Sequence, residues 1–241
     1  MKWPRFLAAG AVALAMSGVA KAETASPAPG FTRGKLLVQD DFTGGLGQWR
    51  TELENGGSVT ARDGTLDIDV PGGCTVWLRP KLSGPVLIQY EATAVKAGGP
   101  NDRVSDVNCF WMAQDSRDPE DLFAVKRGGK FSEYDRLQCY YVGLGGNSNT
   151  TTRFRRYVGV EGNRPLRLED DLSAPEYLLA ANATQTIQLV AAVNFIAYYR
   201  NGRRIFSFVD DAPYTKGWFA FRTVASHLKI RDFRVYRLDA E

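Results

Sequence analysis

Tyrosine, arginine and amide side chains recur in this sequence at strand spacing. In the run from Tyr134 to Val142, period-two alternation puts Tyr134, Arg136, Gln138 and Tyr140 on one face; in the run from Thr151 to Tyr157 it does the same for Thr151, Arg153, Arg155 and Tyr157. Side by side on a concave sheet, two such faces make a cationic groove bearing phenols. These groups fit β-elimination at a uronate, in which a base removes the C5 proton, a cation neutralises the carboxylate and an acid protonates the leaving oxygen. Tyr140 or Tyr134 is a candidate for proton transfer, together with His227, the only histidine in the chain. Arg136, Arg153 and Arg155 are candidates for the carboxylate, and Asn108, Gln138, Asn147 and Asn149 for sugar hydroxyls. A phenol serves as a base only if neighbouring arginines lower its pKa, ordinarily near 10. The same residues on an exposed sheet would make only cross-strand pairs, each contributing a few tenths of a kcal/mol to about 1 kcal/mol.

Other chemistries find less support. Ser226 beside His227 cannot form a catalytic pair by adjacency, and no Gly-x-Ser-x-Gly elbow occurs. Gly143 to Asn149 is glycine-rich but lacks the Lys-Ser/Thr ending of a phosphate loop, and a strand-like run follows it, so it reads as a hairpin loop. No Cys/His spacing fits zinc. Cys109 and Cys139 lie in apolar runs, as buried free thiols do. No metal or other cofactor is expected, although Asp40, Asp41 and Asp232 are the acids that could hold a structural Ca²⁺.

The elements that must position these groups are strands. Gly64 to Val70 alternates apolar and polar residues before Pro71-Gly72-Gly73 ends it, and similar runs continue from Thr75 to Leu238. Asn201-Gly202 between two of them is a hairpin signal. No segment keeps an apolar i, i+3, i+4, i+7 pattern for three turns; the single expected helical turn lies near Asp118 to Phe123. Strands at this density predict an all-β, two-sheet antiparallel jelly-roll sandwich over residues 35–241. Ahead of it, residues 23–34 read as a Pro/Ala/Ser linker. Residues 1–22 read as a cleavable signal peptide, with Lys2 and Arg5, an apolar run from Phe6 to Ala20, and Ala20 and Ala22 at the cleavage positions. That run is shorter than the roughly 20 residues that span a bilayer. A secreted or periplasmic monomer with no membrane insertion is expected. The whole sequence carries a formal charge of +3, but Lys2, Arg5 and Lys21 fall in the leader and no acid does, so the remainder is balanced. A chain without basic excess is a poor partner for nucleic acid.

Several stretches resemble known proteins. The opening Asp40-Asp41-Phe42 with Trp49, and the closing strand with Phe233, Val235 and Leu238, resemble the concanavalin A-like lectin and glucanase superfamily. More specifically, Asn101 to Met112, Tyr134 to Gly143, Asn149 to Tyr157 and Gly217 to His227 are similar to a family of exported bacterial domains of unknown function, over roughly residues 36–238. The resemblance implies a jelly-roll fold, an association with polysaccharide degradation and a carbohydrate partner. Glucanases of this superfamily use an acidic strand motif, of which Glu133 and Asp135 match the first two positions. Gln138 stands where the second catalytic acid belongs, and it can be neither nucleophile nor acid. The expected function is therefore action on an acidic polysaccharide by β-elimination, with a non-catalytic carbohydrate-binding domain or a glycoside hydrolase as alternatives.

Overall fold

The computed structural model of the chain describes residues 27–241, so the leader expected at residues 1–22 lies outside the described residues. Alternating runs become strands: β1 (Phe31–Asp40), β2 (Trp49–Leu53), β3 (Ser58–Arg62), β4 (Thr65–Leu78), β5 (Leu82–Ser83), β6 (Val86–Ala94) and β7 (Val107–Asp115) in the first half. The second half holds β8 (Leu137–Gly145), β9 (Thr151–Val158), β10 (Asp171–Leu172), β11 (Thr184–Ala192), β12 (Phe195–Arg200), β13 (Arg203–Val209) and β14 (Lys216–Ala240). All pairings are antiparallel. The Asn201-Gly202 signal is realised as the β12–β13 turn, with both residues at positive φ as a type I′ turn requires. Asp118 to Phe123 forms turns and no helix.

Two strands serve both layers of the sandwich. The first part of β14 pairs with β7 and with the end of β4, and continues through β8, β9 and β10 as one sheet. Its second part pairs with β1, β6 and the start of β4, and continues through β11, β12 and β13 as the other. The switch falls at a bulge between Val224 and Ser226, where Ala225 takes φ 46°. Between the layers lies an apolar core containing Trp49, Tyr90, Trp111, Phe219, Phe221 and Phe233. Trp49 and Phe221 stack at 5.2 Å between centroids. Full burial of each such ring contributes about 1.5–3 kcal/mol.

Strand structure is present ahead of residue 35. β1 starts at Phe31 and pairs with Ala240, and Ala28 is buried in a cluster with Leu87, Val190 and Leu238. Cys74, Cys109 and Cys139 are buried free thiols.

The outer face of the β7–β8–β9 sheet positions the candidate site. A strap formed by residues 116–136 crosses half of it and drops Leu122, Phe123, Phe131 and Tyr134 onto Trp77, Phe110, Tyr141 and Tyr157. Arg127 fixes the strap from beneath, donating to Asp115 at 3.0 Å and to the Leu122 carbonyl at 2.9 Å, and pairing with Glu52 at 3.3 Å. These charges are fully buried, so removing one partner would strand the others without compensation. No helix among the described residues is long and apolar enough to cross a membrane.

Candidate functional site

Strand register arranges the exposed half of this face in two rungs. One runs Asp171, Arg153, Gly143, Asn108, Arg222, Thr75 and Glu52 across six pairings. The next runs Arg155, Tyr141, Phe110, Ala220 and Trp77. A polar rung therefore lies beside an aromatic one. Where the strap leaves them uncovered, a cavity of about 430 Å³ opens, lined chiefly by Arg103, Asp106, Asn108, Tyr141, Arg153, Arg155 and Arg164, with Asn147 and Ser148 at its rim. Gly143 forms part of the lining, and a side chain there would meet the Tyr141 hydroxyl, 2.8 Å from where its Cβ would stand.

The four arginines of the lining are not equivalent. Arg153 grips Asp171 through Nε and Nη2 at 2.7 and 3.0 Å, which raises its pKa and lowers that of Asp171. Arg164 pairs with Asp135, and Arg103 donates to Asp106 and to the Val224 carbonyl, both at 2.5 Å. Arg155 donates to the carbonyl of Arg164 and has no carboxylate within ion-pair distance among the described residues. Asp106 is the only carboxylate of the lining among the described residues, and it is engaged by Arg103, Ser105 and Asn108.

The cavity gathers Asn108, Asn147, Arg153 and Arg155 from the residues expected at a site. It does not gather the others. Tyr140 faces the opposite way, into the inter-sheet core, where its hydroxyl donates to Asp210 at 2.7 Å and accepts from the Tyr214 amide. Tyr134 is sealed under the strap and donates to Glu52 at 2.7 Å. Burial first, and hydrogen bonds to carboxylates with it, push both phenols above their usual pKa, the wrong direction for a base. The error is one of phase: Phe131–Tyr134 is a 3-10 turn and β8 begins only at Leu137, so alternation does not run through Asp135 and Arg136, and Tyr141 takes the position expected of Tyr140.

Arg136 is exposed and pairs with Glu161 outside the cavity. Gln138 sits half-buried against Gly159 at the start of β8. Asn149 exchanges hydrogen bonds with the backbone of Leu179 at 2.8 and 2.9 Å. His227 lies behind the bulge, with Nδ1 2.8 Å from Asp102 and Nε2 3.2 Å from Asp67, and meets neither tyrosine. Glu133 accepts from the Gly128 amide, whereas Asp135 is buried against Arg164 and the Gly162 amide, and neither acid lines the arginine cavity. Asp40, Asp41 and Asp232 spend their carboxylates on Trp49, Thr43 and Arg234 respectively, and no cluster of acids, histidines or cysteines among the described residues could hold a metal ion. The sequence reading missed Arg103, Asp106, Phe131, Tyr141, Arg164 and Arg222. Arg103 and Asp106 stand in the Asn101 to Met112 stretch, and Tyr141 directly opposes Arg155.

Residues 68–233 match the model of DUF6250, a domain of unknown function, and the chain belongs to that family. No curated protein matches it in sequence. Among solved structures, it is similar to a Bacillus subtilis protein of unknown function with a galectin-like fold, at 20% identity and TM-score 0.68, covering 88% of this chain and 100% of that one. It is also similar to the endo-β-1,3-glucanase of Pyrococcus furiosus, at 12% identity and TM-score 0.57, covering 89% and 100% of the two chains. A third is the B. subtilis carbohydrate-binding module CBM66, at 12% identity and TM-score 0.52, covering 78% and 95%. At these identities the likeness is one of fold, and it establishes the jelly roll.

Proposed function

We propose that the chain binds an acidic saccharide in the concave cavity and cleaves no bond there. The observation that carries this reading is the convergence of Arg103, Arg153, Arg155 and Arg164 on one cavity whose lining holds a single carboxylate. Arg155 is the anchor, since its guanidinium has only a carbonyl to bind and can take a ligand carboxylate in a charge-assisted pair. Asn108 and Asn147 supply amides for hydroxyls, and the Tyr141 ring gives an apolar wall. A cavity of this size falls in the usual range for small ligands.

Hydrolysis by the retaining route needs two carboxyl groups about 5–5.5 Å apart, and the lining offers only Asp106. Elimination needs a base, and Tyr141, the one phenol in the cavity, has its pKa raised by burial. The proton-transfer groups expected for a lyase thus lie elsewhere, while the arginines expected for the carboxylate remain. Resemblance in fold to a carbohydrate-binding module and to a glucanase supports a saccharide as the ligand.

The test is calorimetric titration with disaccharides of galacturonate, glucuronate, mannuronate and guluronate and with their carboxyl-reduced forms. The parent polymers are incubated in parallel and assayed for new reducing ends and for the ultraviolet absorbance of unsaturated sugars. Binding of an acidic disaccharide without product is expected. Product of either kind overturns the non-catalytic reading, and equal affinity for acidic and reduced forms overturns the acidic one.

A further inference from the structure

The polar rung does not end at the cavity. Beyond Asn108 it continues through Arg222 and Thr75 to Glu52, under the strap. Arg222 is 1% exposed. Its Nη1 donates to the Gly129 carbonyl at 2.6 Å and to Thr75 Oγ1 at 3.1 Å, but its Nε and Nη2 have no partner, nor does Oδ1 of its neighbour Asn108. The acid on the same rung, Glu52, is taken by Arg127, Tyr134 and Trp77. Three of the five donors of this buried guanidinium are unused; Glu54, whose Oε2 accepts from the Gly73 amide close to Nη2, stops short of an ion pair, and such an orphan calls for an explanation.

The free edge has a definite shape. Nε and Nη2 lie on the side of the guanidinium that Arg153, three places along the same rung, presents to the Asp171 carboxylate. Arg222 therefore offers a carboxylate the same two-pronged seat, left unfilled by the protein. Two rings cover the guanidinium, Tyr134 at 5.0 Å to its centroid and Phe131, and only Phe131 also faces the open cavity. Phe131 lines that cavity, with the Arg164 guanidinium 4.2 Å from its centroid and the Arg222 guanidinium 5.3 Å from it.

We propose that Arg222 forms an inner carboxylate subsite, with Asn108 Oδ1 beside it to accept from a sugar hydroxyl, that joins the cavity when the Phe131 side chain turns aside, so that the ligand is an oligouronate with one carboxylate on Arg155 and a second on Arg222. The inference rests on the reading of the cavity as an acidic-saccharide site and narrows its ligand to diacids. Arg222 is a binding residue in this scheme, and Phe131 a gate.

The probes are the four uronate disaccharides and the forms of each in which one carboxyl is reduced to the alcohol, titrated into the wild type and Arg222→Met. The wild type should prefer a diacid over its monoacids by at least about tenfold. Arg222→Met should lose that preference while keeping its affinity for the monoacid that Arg155 holds, an outcome that a merely structural arginine would not give. Full preference in Arg222→Met overturns the subsite and leaves the cavity reading standing; failure of the wild type to bind any disaccharide overturns both. A measurement on the wild type needs no variant to fold: the Arg222 Nε–H resonance should shift on adding a diacid and not a monoacid, and an unmoved resonance overturns the subsite.

Discussion

Arg153 and Arg155 stand two residues apart on one face of β9 and differ in what occupies their guanidinium forks. Asp171 fills that of Arg153, whereas Arg155 meets only a carbonyl. Lysine keeps the charge but loses the planar fork. Arg155→Lys is therefore expected to weaken binding of an acidic disaccharide at least tenfold, about 1.4 kcal/mol, with the melting temperature nearly unchanged. Arg153→Lys should instead cost some stability, within the roughly 0–1 kcal/mol of a partly exposed ion pair. Calorimetry and thermal melts on the two variants separate these roles. Tyr140 gives the opposite case, a residue whose type invites a chemical role and whose surroundings deny it. In Tyr140→Phe the Tyr214 amide loses its acceptor and Asp210 one of its donors, although Arg156 remains on Asp210. Chemical denaturation should show a loss of about 1–3 kcal/mol, and calorimetry no change in affinity.

At the scale of elements, how much of the site was legible depended on where each strand starts. β9 is extended throughout the stretch that carries Arg153 and Arg155, so alternation assigned both to one face, and Asn108 on β7 joins them in the cavity. On β8 the count began at Tyr134, in a turn, and came out one residue wrong. The strap was not legible at all, since its covering of Trp77 and Phe110 is set by contacts between residues far apart in sequence. Nor was the tie that holds residues 97–106, the connection that brings Arg103 and Asp106 to the cavity. Asp102 accepts from the amides of Ala97 and Gly99 and binds His227, which also meets Asp67; Asp69 and Lys229 lie close by, Asp69 bonded to Asn101 and Lys229 4.0 Å from Asp67. Burial opposes the charge on His227, but the bonds to Asp102 and Asp67 outweigh it and raise the pKa. The amides of Gly99 and Ala97, then His227, lower that of Asp102 to about 2. The stabilisation from His227 is complete below its unfolded pKa of about 6.5 and is lost as pH rises through the raised folded value; that from Asp102 is complete above about 3.9 and is lost as pH falls toward 2. The melting temperature should therefore be highest between about pH 4 and 6.5 and decline on the alkaline side. His227→Gln should flatten that alkaline decline, and a decline of unchanged size in the variant would assign it to other groups.

For the whole molecule, the charge balance and the first fixed contacts bear on one question, what is left after the leader goes. We propose that the chain is exported and cut after Ala22. Beyond that point the Tyr199 hydroxyl donates to the Pro27 carbonyl at 3.2 Å, the Phe31 amide donates to the Ala28 carbonyl, and Ala28 is buried. Cleavage between Ala22 and Glu23 removes none of these groups. It does remove Lys2, Arg5 and Lys21, which account for the whole formal excess of +3. The isoelectric point, near 8.7 for the full sequence, should then fall toward neutrality, and attraction to an acidic sugar is left to the arginines of the cavity and not to a long-range field. Expressed with its leader in a bacterial host, the protein should appear in the periplasm or medium. Mass spectrometry should read Glu23 as its first residue, isoelectric focusing should show the lowered point, and its melting temperature should equal that of a chain expressed from Glu23 directly. Recovery from the cytosol with Met1 still attached would overturn the export proposal while leaving the cavity and its arginines as they stand.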